Sequence, residues 1–196
     1  MKSMSRLIAF LPLVALLVAC SSQPRIDAHL AGERIDEQLD KKPMCIEVGK
    51  LPLKVFDSGA KNINDLLVSA GLFDRSSLTE SYSRYHVYAL SALGSPYYRD
   101  GKGLCYATLE LAEVTSYTAP ATSSDGRLLA HVEYTYRAKS VAPWALNEGV
   151  QQSFIRIRQV VLSRQTPIKA HATFSYTNHG WRVEDLGIHE VWGQPL

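Results

Sequence analysis

The feature that most constrains the fold is a strict alternation of side chains over residues 127–139. Successive side chains of a β-strand point to opposite faces of a sheet, so this pattern predicts a long strand with one buried face and one solvated face. It is the cleanest period-two pattern in the chain. The predicted inward residues are Ala130, Val132, Tyr134, Tyr136 and Ala138, and the predicted outward residues are His131, Glu133, Thr135, Arg137 and Lys139.

Segments on either side of this strand extend the predicted sheet. Residues 104–117 indicate a second long strand whose pattern slips at residues 112–113, as it would at a β-bulge. Asp125-Gly126 is a strong hairpin signal between these two strands. Residues 169–176 alternate again, and a turn at residues 178–180 leads into a returning strand. The inward residues predicted there are Ala170, Ala172, Phe174 and Tyr176, followed by Trp181 and Val183.

One main helix is predicted over residues 143–162. Pro143 suits a first helical turn, and the apolar residues after it are three or four positions apart. These residues are Leu146, Val150, Phe154, Ile157 and Val161. A short helix followed by a strand from Phe154 is the alternative. The predicted fold class is α+β, with an antiparallel sheet of long hairpins packed against one main helix.

A small N-terminal lobe is predicted over residues 43–100. A short helix follows the N-cap residue Asn62 and ends at Gly71. Residues 82–90 then alternate as a strand. One face of that strand is predicted to carry Tyr85, Val87 and Ala89.

Two pieces of this lobe, residues 65–73 and 85–98, resemble fragments of winged-helix domains. In that family a helix ending in AGL is followed by a strand that reads YxLTxxG. This chain departs from the pattern at Ser91, where the family usually has Thr. The resemblance implies a small winged-helix-like lobe, but no DNA binding, because the chain has no basic helix.

The first twenty residues have the layout of a secretory signal peptide. Lys2 and Arg6 form a positive start, residues 7–18 are an apolar run, and the small residue Ala19 precedes Cys20. The run is too short for the roughly 20 residues that span a bilayer as a helix. Its end, LVAC, resembles the lipobox of bacterial lipoproteins, which implies cleavage before Cys20 and lipidation of its sulfur. An ordinary signal peptide with an incidental cysteine is the alternative.

The residues after Cys20 bear on the destination of the chain. Ser21 stands where lipoproteins of enterobacterial type carry Asp for inner-membrane retention, so the resemblance implies an outer-membrane anchor facing the periplasm. Residues 20–42 are polar with irregularly spaced apolar residues, and we expect a lipid anchor and tether there. A transient helix, or a surface for a partner helix, is the alternative. The predicted organisation is a signal peptide over 1–19, this tether, the small lobe over 43–100, and an antiparallel α+β lobe over 101–196.

Removal of the signal peptide leaves the charges balanced. The full chain has 21 Lys and Arg against 19 Asp and Glu, and residues 1–19 contain Lys2 and Arg6 but no acid. A neutral chain does not attract nucleic acid, which is not expected as a partner. If Cys20 is lipidated, Cys45 and Cys105 remain, and an oxidising envelope compartment favours a disulfide between them. Two separate buried thiols are the alternative.

No catalytic motif is present, so we predict no enzyme activity and no cofactor. His131 and Glu133 lie two positions apart on one strand face, and His171 lies on a neighbouring strand, which permits a metal site. A solvated strand face explains the same spacing, and no metal is predicted. Glu110 and Glu113 are three apart in a strand and therefore a poor acid–base pair.

Aromatic side chains are the candidates for ligand binding. The chain has 10 Tyr and 3 Trp. Tyr and Trp are enriched in binding surfaces because they bring a large contact area with few rotatable bonds. Tyr97 and Tyr98, beside a glycine-rich turn, and Trp192, near the C-terminus, are the predicted ligand-binding residues. Packing in the core of a tyrosine-rich β domain is the alternative.

Three runs carry a wider resemblance: GLCYATLELAEV at residues 103–114, APWAL at 142–146 and TNHGWRVED at 177–185. They are similar to uncharacterised proteobacterial lipoproteins and, distantly, to carbapenem intrinsic-resistance proteins. We therefore expect a non-enzymatic, lipid-anchored envelope protein that binds the membrane through its N-terminal lipid and binds a protein or a small envelope ligand. A structural scaffold for envelope integrity, and an antibiotic-protective factor or hydrolase, are the alternatives.

Overall fold

The computed structural model describes residues 24–60 and 62–188. Cys20 and Trp192, with the lipidation and ligand-binding predictions made for them, lie outside the described residues. The described helices are α1 (Ala28–Asp40), α2 (Ile63–Ser69), α3 (Glu148–Ser153) and α4 (Ile155–Leu162). The strands are β1 (Met44–Ile46), β2 (Leu53–Phe56), β3 (Phe73–Glu80), β4 (Ser83–Leu90), β5 (Tyr98–Arg99), β6 (Gly103–Tyr117), β7 (Ala121–Thr122), β8 (Leu128–Val141), β9 (Ile168–Thr177) and β10 (Gly180–Asp185). Among the described helices, none is long and apolar enough to cross a membrane.

The larger sheet is antiparallel, in the order β1-β6-β8-β9-β10, with β5 paired to β6 and β7 paired to β8. The alternation predicted for β8 is confirmed, because all five predicted inward residues, from Ala130 to Ala138, are buried. In β9 the prediction holds for Ala172 and Phe174, which are buried, but not for Tyr176, which is exposed. Together with the helices α1 to α4, this antiparallel sheet confirms the predicted fold class α+β.

The predicted bulge in β6 is also confirmed. The register between β6 and β8 shifts between Leu111 and Glu113, and again between Val114 and Ser116. A bulge bends its strand and increases the local twist. The bent part of β6 is where α1 packs: the backbone N–H of Leu111 donates a hydrogen bond to Asp36 Oδ1 at 2.8 Å.

Residues 28–40, which the sequence placed in a tether, instead form α1 on the face of the larger sheet. Ala31, Ile35 and Leu39 are four positions apart and each is 0% exposed, so they form one buried stripe. Gly32 permits this close approach, because a Cβ at that position would lie 3.2 Å from Leu111 Cδ2. A helix was only the alternative to the predicted tether, because this stripe is narrow and includes a small residue.

The single main helix is not confirmed. The segment forms a 3₁₀ turn over Pro143–Leu146 and then α3 and α4, which are separated at Phe154 by a non-helical backbone at φ −119° and ψ 86°. The alternative strand from Phe154 is wrong, because α4 begins at the next residue. The predicted apolar stripe does mark buried positions, Val150 and Ile157 among them. Such a stripe does not distinguish one helix from two short ones.

A smaller sheet has the order β2-β4-β3 and packs against α2. Its inner face carries the buried residues Phe73 and Tyr88, whereas the face with Tyr85 and Val87 is the outer one. β3 was not predicted, because seven of its eight residues are exposed and mostly polar. The winged-helix arrangement is not confirmed. The buried residues of the two sheets belong to one hydrophobic core.

We predict that Ile35→Ala lowers the free energy of unfolding by about 2–5 kcal/mol, because it leaves a cavity between α1 and the larger sheet. Urea denaturation followed by circular dichroism measures this change. The control Glu33→Ala, at an exposed position of the same helix, is expected to change stability by less than about 0.5 kcal/mol. Equal stability of the two variants would contradict the docking of α1.

Candidate functional site

The predicted disulfide is confirmed and joins the two ends of the chain segment that forms the smaller sheet. Cys45 in β1 and Cys105 in β6 are paired in the antiparallel register, with Cα atoms 3.7 Å apart and sulfurs 2.09 Å apart. The bond closes a loop with a sequence separation of 60 residues. This loop contains α2 and strands β2 to β5. The disulfide therefore ties the two ends of this segment to each other where it leaves and rejoins the larger sheet.

Tyr97 and Tyr98 lie at the junction of the two sheets and are half-buried. The Tyr97 ring makes an edge-to-face contact with Trp144, with ring centroids 6.5 Å apart, and Trp144 makes a second such contact with Tyr106 at 6.4 Å. Tyr98 pairs with Leu104 across β5 and β6. The structure thus places both tyrosines against the hydrophobic core, and their ligand-binding role stays a prediction.

The polar face of β8 does not assemble a metal site. Glu133 and His171 face each other across β8 and β9, and Glu133 Oε2 accepts a hydrogen bond from Ser116 at 3.0 Å. His131 Nδ1 lies 3.4 Å from Thr173 Oγ1. Within the part of the chain that the structure describes, no group of three His, Cys, Asp or Glu side chains is placed to hold a metal ion.

The glutamates of β6 do not form an acid–base pair. Glu110 Oε1 accepts a hydrogen bond from Arg137 Nε at 2.7 Å across β6 and β8, whereas Glu113 pairs in register with Thr135. Glu110 is therefore engaged in a surface ion pair.

A cavity of about 290 Å³ lies between the end of α1, the larger sheet and the segment after β10. Its volume is at the lower end of the range of roughly 300–1,000 Å³ for small-molecule sites. Sequence reasoning missed it because it forms where distant segments meet. The lining residues are Leu39, Lys42, Met44, Leu109, Asp185, Leu186 and Ile188.

The outer face of the smaller sheet carries an exposed apolar row. Phe56, Tyr85 and Leu78 are directly opposite one another on β2, β4 and β3, and we call these three residues the outer row. Phe56 is 58% exposed and Leu78 is 39% exposed. The rings of Phe56 and Tyr85 meet edge to face at 5.9 Å, and Lys54 Nζ lies 4.2 Å from the centroid of the Tyr85 ring. Sequence reasoning missed this row because it did not predict β3.

The turn between β3 and β4 continues this exposed surface beyond the strands. Ser81 and Tyr82 have φ values of 45° and 65°, a conformation that tight two-residue hairpins require and that Gly or Asn usually supplies. Tyr82 is fully exposed. An aromatic side chain at such a position costs backbone strain and gains no packing within the described residues.

Polar contacts on the inner face hold the smaller sheet to α2. Asp65 Oδ1 accepts hydrogen bonds from Tyr88 Oη at 2.9 Å and from Arg75 at 2.7 Å, and its Oδ2 accepts one from the Asn62 backbone N–H at 3.3 Å. Burial raises the pKa of the Asp65 carboxyl, but the hydrogen bonds from Tyr88, Asn62 and Arg75 outweigh burial, so the pKa lies below its ordinary value.

A second carboxylate ties the end of β2 to β4. Asp57 accepts hydrogen bonds from the Gly59 backbone N–H at 3.1 Å and from Arg84 Nε at 2.6 Å, and His86 Nε2 lies 3.6 Å away. The Gly59 hydrogen bond is the main cause of the lowered pKa of Asp57, and Arg84 adds to it. These contacts fix the backbone that carries the outer row.

Comparison of the chain with protein-family models, with curated proteins and with solved structures finds no match in any of the three. The resemblances to lipoproteins and to resistance proteins therefore stay predictions, and the geometry described above is the basis for assigning a function.

We predict that acid destabilises the protein partly through Asp65. A lowered folded-state pKa stabilises the fold above the ordinary Asp pKa of 3.8, and this stabilisation is lost as the pH falls below that value. Asp65→Asn is expected to lower the free energy of unfolding by about 1–3 kcal/mol at pH 7 and to reduce its further loss between pH 5 and pH 3. Urea denaturation at pH 7, pH 5 and pH 3 measures these free energies of unfolding. Tyr88→Phe removes one of the hydrogen bonds to Asp65, so its loss of stability between pH 5 and pH 3 should lie between those of the wild type and Asp65→Asn. Identical pH dependence in all three proteins would contradict the role of Asp65.

Proposed function

We propose that the chain is a lipid-anchored protein of the outer membrane, facing the periplasm, that binds an envelope protein without catalysing a reaction. The observation that carries the binding proposal is the outer row of Phe56, Tyr85 and Leu78. Exposed apolar patches on a folded domain mark interaction surfaces, and aromatic residues are enriched in them. The lipobox resemblance at Cys20 supports the anchor.

The confirmed disulfide supports the compartment. A disulfide such as Cys45–Cys105 persists where the surroundings are oxidising, as in the bacterial periplasm, and is rare where glutathione and thioredoxin keep thiols reduced.

The relative positions of the N-terminal segment and the outer row support a binding face directed away from the membrane. The backbone carbonyl of Arg25 accepts a hydrogen bond from Trp181 Nε1 at 2.9 Å, at the end of the larger sheet where β9 turns into β10. The smaller sheet joins at the other end, beside Gly103 and Cys105. β6 runs between the two ends with 15 residues, which is at most roughly 50 Å along the bent strand.

The cavity beside α1 favours a second candidate function, the binding of a small envelope ligand. Leu39, Met44 and Leu109 supply an apolar wall, and Lys42 and Asp185 supply opposite charges. A ligand with one apolar group and polar ends matches this lining. A thermal shift on ligand addition, abolished by Leu109→Trp, would favour this function over protein binding.

We predict that cells grown with a clickable palmitate analogue label the wild-type protein and not Cys20→Ser. The matched control Ser21→Ala keeps the acceptor sulfur and should still be labelled. Gel fluorescence after immunoprecipitation measures the label. A wild-type protein without label, or one that retains Met1, would refute the anchor.

We predict that a photo-crosslinking amino acid at Phe56 yields a protein adduct in intact cells. The control position is Ile155, which is 51% exposed, close to the 58% of Phe56, but lies on α4. Adducts are detected as a mobility shift and identified by mass spectrometry. Equal crosslinking from both positions, or none from Phe56, would count against the outer row as the binding face.

A further inference from the structure

One edge of the smaller sheet is open. Strand β3 pairs with β4 along all eight of its residues without a register shift, and within the described ranges 24–60 and 62–188 no strand pairs with its other side. Seven of the eight residues are exposed, so no described element covers this edge. An open edge presents a row of backbone N–H and C=O groups that can pair with another chain.

The backbone groups that point outward follow from the turn. In a two-residue hairpin the residues flanking the turn, here Glu80 and Ser83, bond to each other, and bonded and non-bonded pairs alternate from there. The bond from Ser91 N–H to the carbonyl of Leu72, at 3.1 Å, follows the same alternation. The outward-facing backbone groups therefore belong to Phe73, Arg75, Ser77 and Thr79.

β3 has only part of the usual protection of such an edge: it carries the charges Asp74, Arg75 and Glu80, but Arg75 and Glu80 are held in ion pairs within the described residues. Natural edge strands are protected by charged side chains, Lys above all, and by Pro, bulges or very short lengths. The sequence FDRSSLTE has no Pro and no Lys, and its register is continuous. Two small residues, Ser76 and Ser77, occupy its middle.

The side chains at the open edge define what can pair with it. Asp74 and Leu78 point to the outer face, four residues apart, and Leu78 continues the outer row to the edge of the sheet. Glu80, on the same face, is paired with Lys54. Asp74 has no ion-pair partner within the part of the chain that the structure describes. The edge thus presents an apolar position and a negative charge at a fixed spacing.

We propose that β3 is the docking edge for an extended peptide segment of a partner protein, which adds to the smaller sheet as a fourth strand. In the antiparallel arrangement an apolar residue of the peptide lies opposite Leu78, and a Lys or Arg four residues later lies opposite Asp74. Backbone bonds to β3 hold the segment and these two side chains select it, as in other cases of strand addition. The proposal deepens the proposed function and rests on it only for the location of the partner.

A second copy of this chain fits the edge less well than such a peptide. Antiparallel pairing of two β3 strands about a two-fold axis matches outer face with outer face. The cation of β3, Arg75, points to the inner face, where it binds Asp65. Self-pairing therefore places no cation opposite Asp74, and pairing centred on Ser77 sets Asp74 against Glu80.

The test uses the full chain in detergent micelles and a fluorescent peptide of about ten residues. In the peptide, Thr and Val alternate except at two positions four residues apart, where Phe comes first and Lys second. We expect saturable binding by fluorescence anisotropy. A weakening of about five- to tenfold is expected for Asp74→Lys, with recovery when Glu replaces the peptide Lys. Ser77→Pro, which removes an outward N–H, should abolish binding, and Ile155→Thr should not alter it.

Several results would overturn the docking edge. These are absence of binding at millimolar peptide, equal affinity for wild type and Asp74→Lys, or dimers in sedimentation that Leu78→Asp dissociates and the peptide does not. Circular dichroism checks that each variant is folded, and the Asp74→Lys exchange decides the matter if Ser77→Pro is not folded. Palmitate labelling and peptide binding test the two proposals separately. A protein that binds the peptide but is not labelled refutes only the lipid anchor. A protein that is labelled but does not bind the peptide refutes only the docking edge.

Discussion

The pairing of β6 with β8 is the interaction on which the rest of the structure depends. β8 supplies a buried face from Ala130 to Ala138, and β6 carries elements at both of its ends. At its start, Cys105 is bonded to Cys45 and β5 pairs beside it. Gly103 permits that crowding, because a Cβ there would lie 2.1 Å from the Ile46 carbonyl oxygen. At the bulge, the same strand supports α1. Loss of the β6–β8 ladder would therefore detach both α1 and the smaller sheet from the larger sheet.

A feature of the fold could be predicted where neighbouring residues of the sequence carry the signal for it. The alternation in β8 and the slip in β6 are local, because each strand's own pleat determines them, and both predictions are confirmed. The expectation of an oxidising compartment, with Cys20 set aside for lipidation, was enough to predict the disulfide between Cys45 and Cys105, which is confirmed. β3 gave no signal, because an exposed edge strand buries almost nothing and so needs no apolar alternation. The outer row was missed for that reason, since its members lie on three strands and meet only after β3 is placed.

The smaller sheet combines a fixed inner face with an exposed outer one. Asp65 holds Tyr88, Arg75 and the start of α2 together, and Asp57 connects β2 to β4. These contacts limit the motion of the backbone without covering the outer row. A surface that is rigid before it meets a partner loses less entropy on binding than one that must be ordered first. This arrangement favours a binding face over a packing defect.

The position of α1 changes what an anchor at Cys20 would mean. A long tether would let the domain tumble above the membrane, but α1 begins at Ala28 and Arg25 is already held by Trp181. The segment from residue 20 to residue 24 can extend at most about 14 Å. Under the proposed anchoring, the end of the larger sheet with Trp181 therefore stays close to the bilayer, and the smaller sheet projects into the periplasm at the far end of β6. A partner that binds β3 must then approach from the periplasmic side rather than from within the membrane.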